Sequence, residues 1–291
     1  MSERLFNRIA VVGVGLLGGS LGMGARRHKL CNEVIGLGRS SAALEEARRL
    51  EAIDRFTLNA GEAVRGTDLV VLCTPVRHIV SVLPELIAQA KPGTIFADVG
   101  SSKASIVRVG EQAAAAAGCF FVGCHPMAGS EKSGVRHARE NLYEDSTCFV
   151  TKTAVTDKTA FGRVCRLWHA LGARIVISRP ERHDRLVASV SHLPHVVAVA
   201  LVRAVEKFSE DKNLIKGIIG NGFRDTTRIA CGDSQMWEDI CTDNHEEIAR
   251  SRAALESALE ELMNACSAKP GQQLRSILDD ACEYRAFLDH R

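Results

Sequence analysis

The chain of 291 residues is 46% hydrophobic and 25% charged. These values exclude a disordered or collagen-like chain and leave one large or two ordinary domains with ample length to bury a core. Its 37 Lys and Arg are interspersed with 35 Asp and Glu, so no basic stripe marks nucleic acid or a lipid surface as the main partner, and a small molecule is expected instead.

The charged N-terminal residues run directly into an apolar strand pattern, with no h-region and no small-residue cleavage site. No run of about 18 uncharged apolar residues follows, so neither a secretory leader nor a membrane span is expected. From residue 9 to residue 177, short β-rich runs alternate with helical patterns. Strands are expected at 9–12, 33–37, 69–73, 94–98, 120–123, 148–150 and 174–177, and helices around 17–28, 42–50, 76–90, 104–117 and 159–171. This alternation predicts an α/β fold with a doubly wound parallel sheet. After Arg179-Pro180 the β-branched runs cease and helical spacing takes over. Leu186, Val190, Leu193, Val197 and Leu201 mark one helix, Ile248, Leu255, Leu259 and Leu262 a second, and Leu274, Ile277 and Leu278 a third. Two domains are therefore expected, residues 1–179 and an all-α part of residues 180–291. The ten cysteines form no CxxC pair and mostly lie in apolar runs. Buried, reduced thiols are expected, which suits the cytoplasm.

Gly13-Val14-Gly15-Leu16-Leu17-Gly18 directly follows the first strand pattern and opens the first helix. Gly13 suits a tight turn, Gly15 the close approach of a pyrophosphate and Gly18 close helix packing. The helix start at Leu16 and Leu17 offers free N–H donors to the anion. In this context the motif predicts a Rossmann-type dinucleotide-binding domain. The acid that would hold the adenosine ribose is missing at the end of the second strand, where Gly38-Arg39-Ser40 stands. Arg39 and Ser40 suit a 2′-phosphate, which leans the reading slightly towards NADP over NAD; stacking of Arg39 on adenine, or a plain solvated charge, are the alternatives. Thr74 and Pro75, after the strand ending at Cys73, either bring backbone to the cofactor or form an ordinary strand-to-helix turn.

Two further stretches fall at the carboxyl ends of expected strands: Asp98-Val99-Gly100-Ser101-Ser102-Lys103, and His125 within Gly123-Cys124-His125-Pro126-Met127-Ala128-Gly129-Ser130-Glu131. Oxidising an alcohol needs a group that takes up the hydroxyl proton, and histidine titrates in the useful range. His125 is the candidate, with a structural hydrogen-bonding role as the alternative. Ser101 either orients that histidine or the substrate, or caps the next helix. In the helical half, Ser191-His192-Leu193-Pro194-His195 places His192 and His195 near one face, with His183 a helical stretch earlier and Pro194 expected to distort the turn. Without an accompanying Glu-x-x-His or Cys cluster no metal is expected, and hydrogen bonding to an anionic substrate fits better. Arg224, Asp225 and Arg228 follow the flexible Gly220-Asn221-Gly222. An arginine here suits a substrate carboxylate, or else a surface ion pair.

Taken together, GxGxxG, DxxSxK, HPMAGSE, SHLPH and RDTTRIACGDSQMW resemble, in order and across most of the chain, the prephenate and arogenate dehydrogenase family of tyrosine biosynthesis. The resemblance implies a Rossmann domain followed by an all-α dimerisation domain, a homodimer, and NAD(P)-dependent oxidation of a cyclohexadienol with loss of carbon dioxide. It implies His125 as acceptor for the ring hydroxyl with Ser101 beside it, Arg228 as partner of the ring carboxylate, and His195 and Ser130 near the substrate. Trp237 then lines the pocket, core packing being its other reading. Glu131, Arg224 and Asp225 fall where the family forms an ionic network. With no chorismate mutase segment before and no ACT-type segment after these motifs, feedback by tyrosine through an added domain is not expected. The alternatives are another Rossmann-plus-helical oxidoreductase, of the β-hydroxyacid dehydrogenase or imine reductase type, whose lysine pattern Lys207, Lys212 and Lys216 do not match, and a non-catalytic dinucleotide-sensing module. Prephenate and arogenate differ in one side-chain group, and the residues do not separate them.

Overall fold

The structure is a computed structural model and describes residues 4–129, 132–208, 211–267 and 272–289. Its first part lays down β1 (Arg8–Val12), α1 (Leu16–Arg27), β2 (Glu33–Leu37), α2 (Ser41–Arg49), β3 (Arg55–Thr57), α3 (Ala60–Val64), β4 (Leu69–Leu72), α4 (Val76–Ala88), β5 (Ile95–Asp98), α5 (Ala104–Ala117) and β6 (Phe120–Val122). The six strands pair in parallel in the order β3-β2-β1-β4-β5-β6. Runs such as Leu69-Val70-Val71-Leu72 are buried throughout, as parallel strands covered on both faces must be. Side chains alternate between two cores, with Ile9, Val11, Leu69 and Val71 on one face and Ala10, Val12, Val70 and Leu72 on the other. Strand order reverses between β1 and β4, which opens a crevice beyond their carboxyl ends.

Two elements of this sheet are absent from the sequence reading. β3 has three residues and α3 five, too short to show a period of either kind. A larger difference follows β6. The chain turns at Gly123 and builds a second sheet from β7 (Cys124–Pro126), β8 (Thr147–Thr151) and β9 (Arg174–Ser178), with α6 (Lys158–Ala170) between the last two. β7 and β8 are antiparallel, β8 and β9 parallel. The strands expected at 148–150 and 174–177 therefore form a separate mixed sheet and do not extend the parallel one. The cause is the connection from β7 to β8, which holds a 3-10 turn at Val135–His137 in place of a crossover helix. It covers α1 instead: Tyr143 is buried, donates its hydroxyl to the Leu17 carbonyl at 2.7 Å and packs edge-on against Trp168.

The rest is helical: α7 (Pro180–Val187), a π-helical turn (Ala188–His192), α8 (Leu193–Phe208), α9 (Lys212–Ile218), α10 (Asn221–Thr227), a 3-10 turn (Arg228–Cys231), α11 (Ser234–Asp243), α12 (His245–Ser267) and α13 (Gln272–Asp289). The π-helical turn lies just ahead of Pro194, whose ring cannot sit against a normal preceding turn. Pro180–Phe208 is long and apolar enough to cross a membrane by length and composition, yet it buries His183, Asp184, His192 and His195, polar groups that lipid would not satisfy. It is the spine of the helical half. Phe208 at its end, and beyond it Leu214, Ile218, Leu259, Met263, Tyr284 and Phe287, are exposed.

Candidate active site

The crevice begins at the turn after β1. Gly13 has φ of 90°, its N–H donates to the Leu37 carbonyl at 2.8 Å, and a Cβ there would lie 2.5 Å from Thr74 Cγ2. A Cβ on Gly18 would lie 2.2 Å from the Gly13 carbonyl oxygen, so α1 meets the turn backbone to backbone. A Cβ on Gly15 would meet nothing within 4 Å. Open space beside Gly15 and an α1 start without side-chain cap or acidic residue leave free N–H groups at Leu16 and Leu17 for a pyrophosphate. The residues fit a dinucleotide. Thr74 seals the turn and its hydroxyl bonds His78 Nδ1 at 3.0 Å, while Pro75 precedes α4 as its N-cap. Ser40 Oγ accepts from the Ala43 N–H at 3.3 Å and so caps α2. Arg39 is exposed, with no ion pair among the described residues. Burial, and next the Arg39 charge, hold His78 below the ordinary histidine value.

At the end of β5, Asp98 and Lys103 are fully buried and paired. Lys103 Nζ also donates to the Cys124 carbonyl at 2.8 Å, and Asp98 accepts from Cys124 N at 3.0 Å and Gly100 N at 2.8 Å. Burial pushes the Asp98 carboxyl up, against the pull of the Lys103 ammonium and those N–H groups. This pair fastens β7 to β5 and fixes the backbone of the next residue, His125. His125 is therefore in the middle of a short strand, opposite Phe149, and not just beyond the end of the strand expected at 120–123.

His125 Nδ1 lies 2.8 Å from His183 Nε2, and His183 Nδ1 lies 2.8 Å from Asp184 Oδ1. Burial first, then the neighbouring positive charges, hold His125 and His183 well below the ordinary histidine value. His192 is pushed down to about 4, again chiefly by burial. Asn244 Nδ2 donates to the Asp184 carbonyl at 2.9 Å and bonds His192 Nδ1 at 3.0 Å. His195 stacks on Trp237, ring centres 3.5 Å apart and planes within 7°, and burial lowers its pKa. His192 Nε2 and His195 Nδ1 are buried without a hydrogen-bond partner among the described residues. Buried polar atoms without partners are rare, so two together on one helix mark a place for a polar ligand.

The other expected site residues are less engaged. Ser101 is half-buried with no side-chain partner among the described residues, and it does not cap α5, whose N-cap is Lys103. The neighbouring Ser102 is the engaged serine, donating to Asp243 at 2.5 Å. Arg228 opens the 3-10 turn that packs on α8, and Arg224 and Asp225 lie on α10. All three are exposed, and none forms an ion pair among the described residues. Ser130 and Glu131 lie outside the described residues. The cysteines split three ways: Cys31, Cys119, Cys124 and Cys148 are buried, Cys73, Cys165 and Cys241 half-buried, and Cys231, Cys266 and Cys282 exposed in the helical half. That last group departs from the buried thiols expected.

Three aspartates of the helical half reach the α/β half. Asp184 accepts from Lys103 N at 2.7 Å and Ala104 N at 2.8 Å, Asp239 from Arg77 N at 3.2 Å, and Asp243 from the Ser102 and Ser105 hydroxyls. Neither α4 nor α5 has a side-chain cap at its own N-cap residue. Their exposed N–H groups and positive dipole ends are instead met across the domain seam. Asp184, Asn244, Asp239 and Asp243 escaped the sequence reading because each acts on a partner far away in the chain.

A family model described as the nucleotide-binding domain of prephenate dehydrogenase matches residues 21–177, and one described as its dimerization domain matches residues 179–280. The chain belongs to the prephenate dehydrogenase family. The prephenate dehydrogenase of Bacillus subtilis is 34% identical over 247 residues, which are 84% of this chain and 66% of that protein's length. The cyclohexadienyl dehydrogenase of Zymomonas mobilis is 30% identical over 289 residues, covering 98% of each chain. Among solved structures, prephenate dehydrogenase from A. aeolicus in complex with hydroxyphenyl propionate and NAD+ superposes with a TM-score of 0.89 at 31% identity, over 99% of each chain. A Rossmann-type α/β half followed by a helical half is the arrangement these prephenate dehydrogenase relatives share.

Proposed function

We propose that this chain oxidises prephenate, and also accepts arogenate, with decarboxylation to the 4-hydroxyphenyl product and reduction of NAD or NADP. The observation that carries the proposal is His125, a buried imidazole kept neutral by its surroundings, in a chain whose glycine turn leaves room for a dinucleotide and whose helical half holds two buried ring nitrogens without partners among the described residues. Family membership supports the same reaction.

A bound nicotinamide dinucleotide supplies the hydride acceptor. The backbone from Gly13 to Gly18 holds its pyrophosphate. His125, neutral at physiological pH, accepts the ring hydroxyl proton as the carbinol C–H bond breaks, with Ser101 orienting that hydroxyl. The electron pair left when the ring carboxylate departs as carbon dioxide aromatises the ring, and the proton held on His125 returns to the phenolate oxygen. Arg228 holds the ring carboxylate. An arginine that bound it too tightly in the ground state would oppose its departure, so its contribution is orientation. His192 and His195 bond the substrate's polar side chain through their unpartnered nitrogens, and Trp237 keeps the His195 ring in plane. A positioned base of this kind contributes about 10²–10⁴-fold, with aromatisation as the driving force.

The lean to NADP rests on Arg39, exposed and without an ion pair among the described residues, where an acid would repel a 2′-phosphate. We take residues 1–179 as the cofactor domain and 180–291 as the substrate and dimerisation domain of a cytoplasmic homodimer. The exposed apolar side chains of the helical half support the dimer. The test crosses prephenate and arogenate with NAD and NADP and follows the absorbance of the reduced nicotinamide. Turnover of both prephenate and arogenate is expected with at least one of the two cofactors. Four silent reactions from folded protein that binds the dinucleotide would remove this reading.

A further inference from the structure

We propose that His183 and Asp184 are positioning residues that set His125 in its proton-accepting tautomer, and that they do so only while the helical half is docked on the first turn of α5. The proposal rests on the role of His125 as the base.

The argument is an accounting of donors and acceptors. Backbone N–H groups can only donate, and two of them, from Lys103 and Ala104, end on the two oxygens of Asp184. Burial raises the Asp184 carboxyl, against the pull of these two N–H groups and of the Lys103 charge; with both its oxygens already accepting from N–H groups it is assigned as the carboxylate, which can only accept. His183 Nδ1, 2.8 Å from Asp184 Oδ1, therefore carries the hydrogen. Neutral His183 is left with its lone pair on Nε2, 2.8 Å from His125 Nδ1. That nitrogen must in turn be the donor, which leaves the lone pair of His125 on Nε2, free to take a proton. Reversing any link would set two lone pairs or two hydrogens against each other at 2.8 Å.

The chain of bonds crosses the domain seam twice. His183 and Asp184 are on α7, while Lys103, Ala104 and His125 belong to the α/β half. Lys103 cannot cap α5 with its side chain, which is turned towards Asp98. Opening the seam thus removes the α5 cap and the partner of His125 Nδ1 together, and the base is competent only in the closed arrangement. Other groups around the two rings keep the arrangement neutral and fixed. Lys103 with Asp98, and His192 from the π-helical turn, face them electrostatically, and the Phe149 ring stands edge-on to His183 at 4.9 Å.

The first measurement is the tautomer itself, read from ring-nitrogen NMR of the full chain labelled with ¹⁵N-histidine, the His125 signals being assigned with His125→Gln. Nδ1 protonated and Nε2 bare at neutral pH is the expected result; the opposite tautomer overturns the proposal. The second compares His183→Gln, whose side-chain oxygen still accepts from His125 Nδ1, with His183→Leu, which offers no acceptor. His183→Gln should keep kcat within about tenfold, and His183→Leu should lose about 10²–10³-fold in kcat with KM for prephenate within about threefold. Equal activity in the two variants, or a loss in KM alone, overturns the proposal. Should His183→Leu fail to fold, the wild-type spectrum decides alone. A wild-type enzyme silent towards both substrates would remove the proposed reaction, and the spectrum would still decide the tautomer.

Discussion

At the scale of single residues, burial keeps the histidines of the site uncharged. Burial removes the water that would stabilise an imidazolium, and Lys103 and the neighbouring histidines add repulsion, so His125 stays a base at neutral pH. Arg228 differs in kind: it is exposed, and its charge is ready for a ligand that brings its own counter-charge. Different losses follow from removing each. His125→Asn keeps the shape and removes the proton acceptor, so kcat should fall about 10²–10⁴-fold with little change in KM. Arg228→Ala should mainly raise KM. Steady-state kinetics with prephenate separates the two, and a His125→Asn enzyme with unimpaired turnover would end the assignment. Short motifs singled out His125, His192 and His195, and the structure buries all three. Asp184 and Asn244 were not legible, since each is an ordinary residue in sequence, and Asp184 gains its meaning from Lys103, 81 positions away. Ser101 and Ser102 are adjacent, and nothing in their spacing shows that Ser102 is the one held by Asp243.

At the scale of elements, α1 shows how two glycines of one motif do unrelated work. Gly18 is a packing residue: a methyl there would press on the Gly13 carbonyl oxygen. Gly15 borders open space, where a methyl meets nothing within 4 Å, and on the proposed function that space takes the pyrophosphate. Gly18→Ala should therefore destabilise the protein by about 1–3 kcal/mol, seen as a lower urea midpoint. Gly15→Ala should leave that midpoint unchanged and weaken dinucleotide binding about tenfold or more, a cost of roughly 1.4 kcal/mol, seen by fluorescence titration. An unchanged midpoint for Gly18→Ala, or unchanged affinity for Gly15→Ala, would contradict this division. The parallel sheet was legible because its strands are long apolar runs between turns. The second sheet was misread because β8 and β9 have the same local character as the strands of the first. What separates them is the path from Pro126 to Thr147, which among the described residues holds only the 3-10 turn at Val135–His137 and no crossover helix. The switch to helices had a clearer mark, in the change from β-branched runs to helical spacing after Arg179-Pro180, and every described element from Pro180 onward is helical.

At the scale of the molecule, the helical half buries few apolar side chains within one chain and exposes many, from Phe208 and Ile218 to Met263 and Phe287. A second copy is the natural cover, and sedimentation should give twice 31.5 kDa; a monomer at micromolar concentration would contradict it. The groups buried on both sides of the seam between the halves set how stability depends on pH. His125, His183 and His192 are buried neutral, with folded-state pKa values below the ordinary 6.5, and His192 is pushed to about 4. Above about pH 6.5 neither the folded nor the unfolded chain protonates these rings, and they contribute nothing to the slope. As pH falls below that value the unfolded chain binds protons that the folded chain refuses, so stability falls until the folded-state values are reached. His192 alone should cost about 2 kcal/mol between pH 7 and pH 5. The raised carboxyls of Asp98 and Asp184 work in the opposite sense, because the folded chain takes up their protons first, and they flatten the slope at its acid end. Urea midpoints at constant ionic strength should therefore fall steadily from about pH 7 to about pH 5, and less steeply in His192→Gln. A flat or rising profile would mean that these histidines are charged in the folded protein, which would also remove His125 as a base.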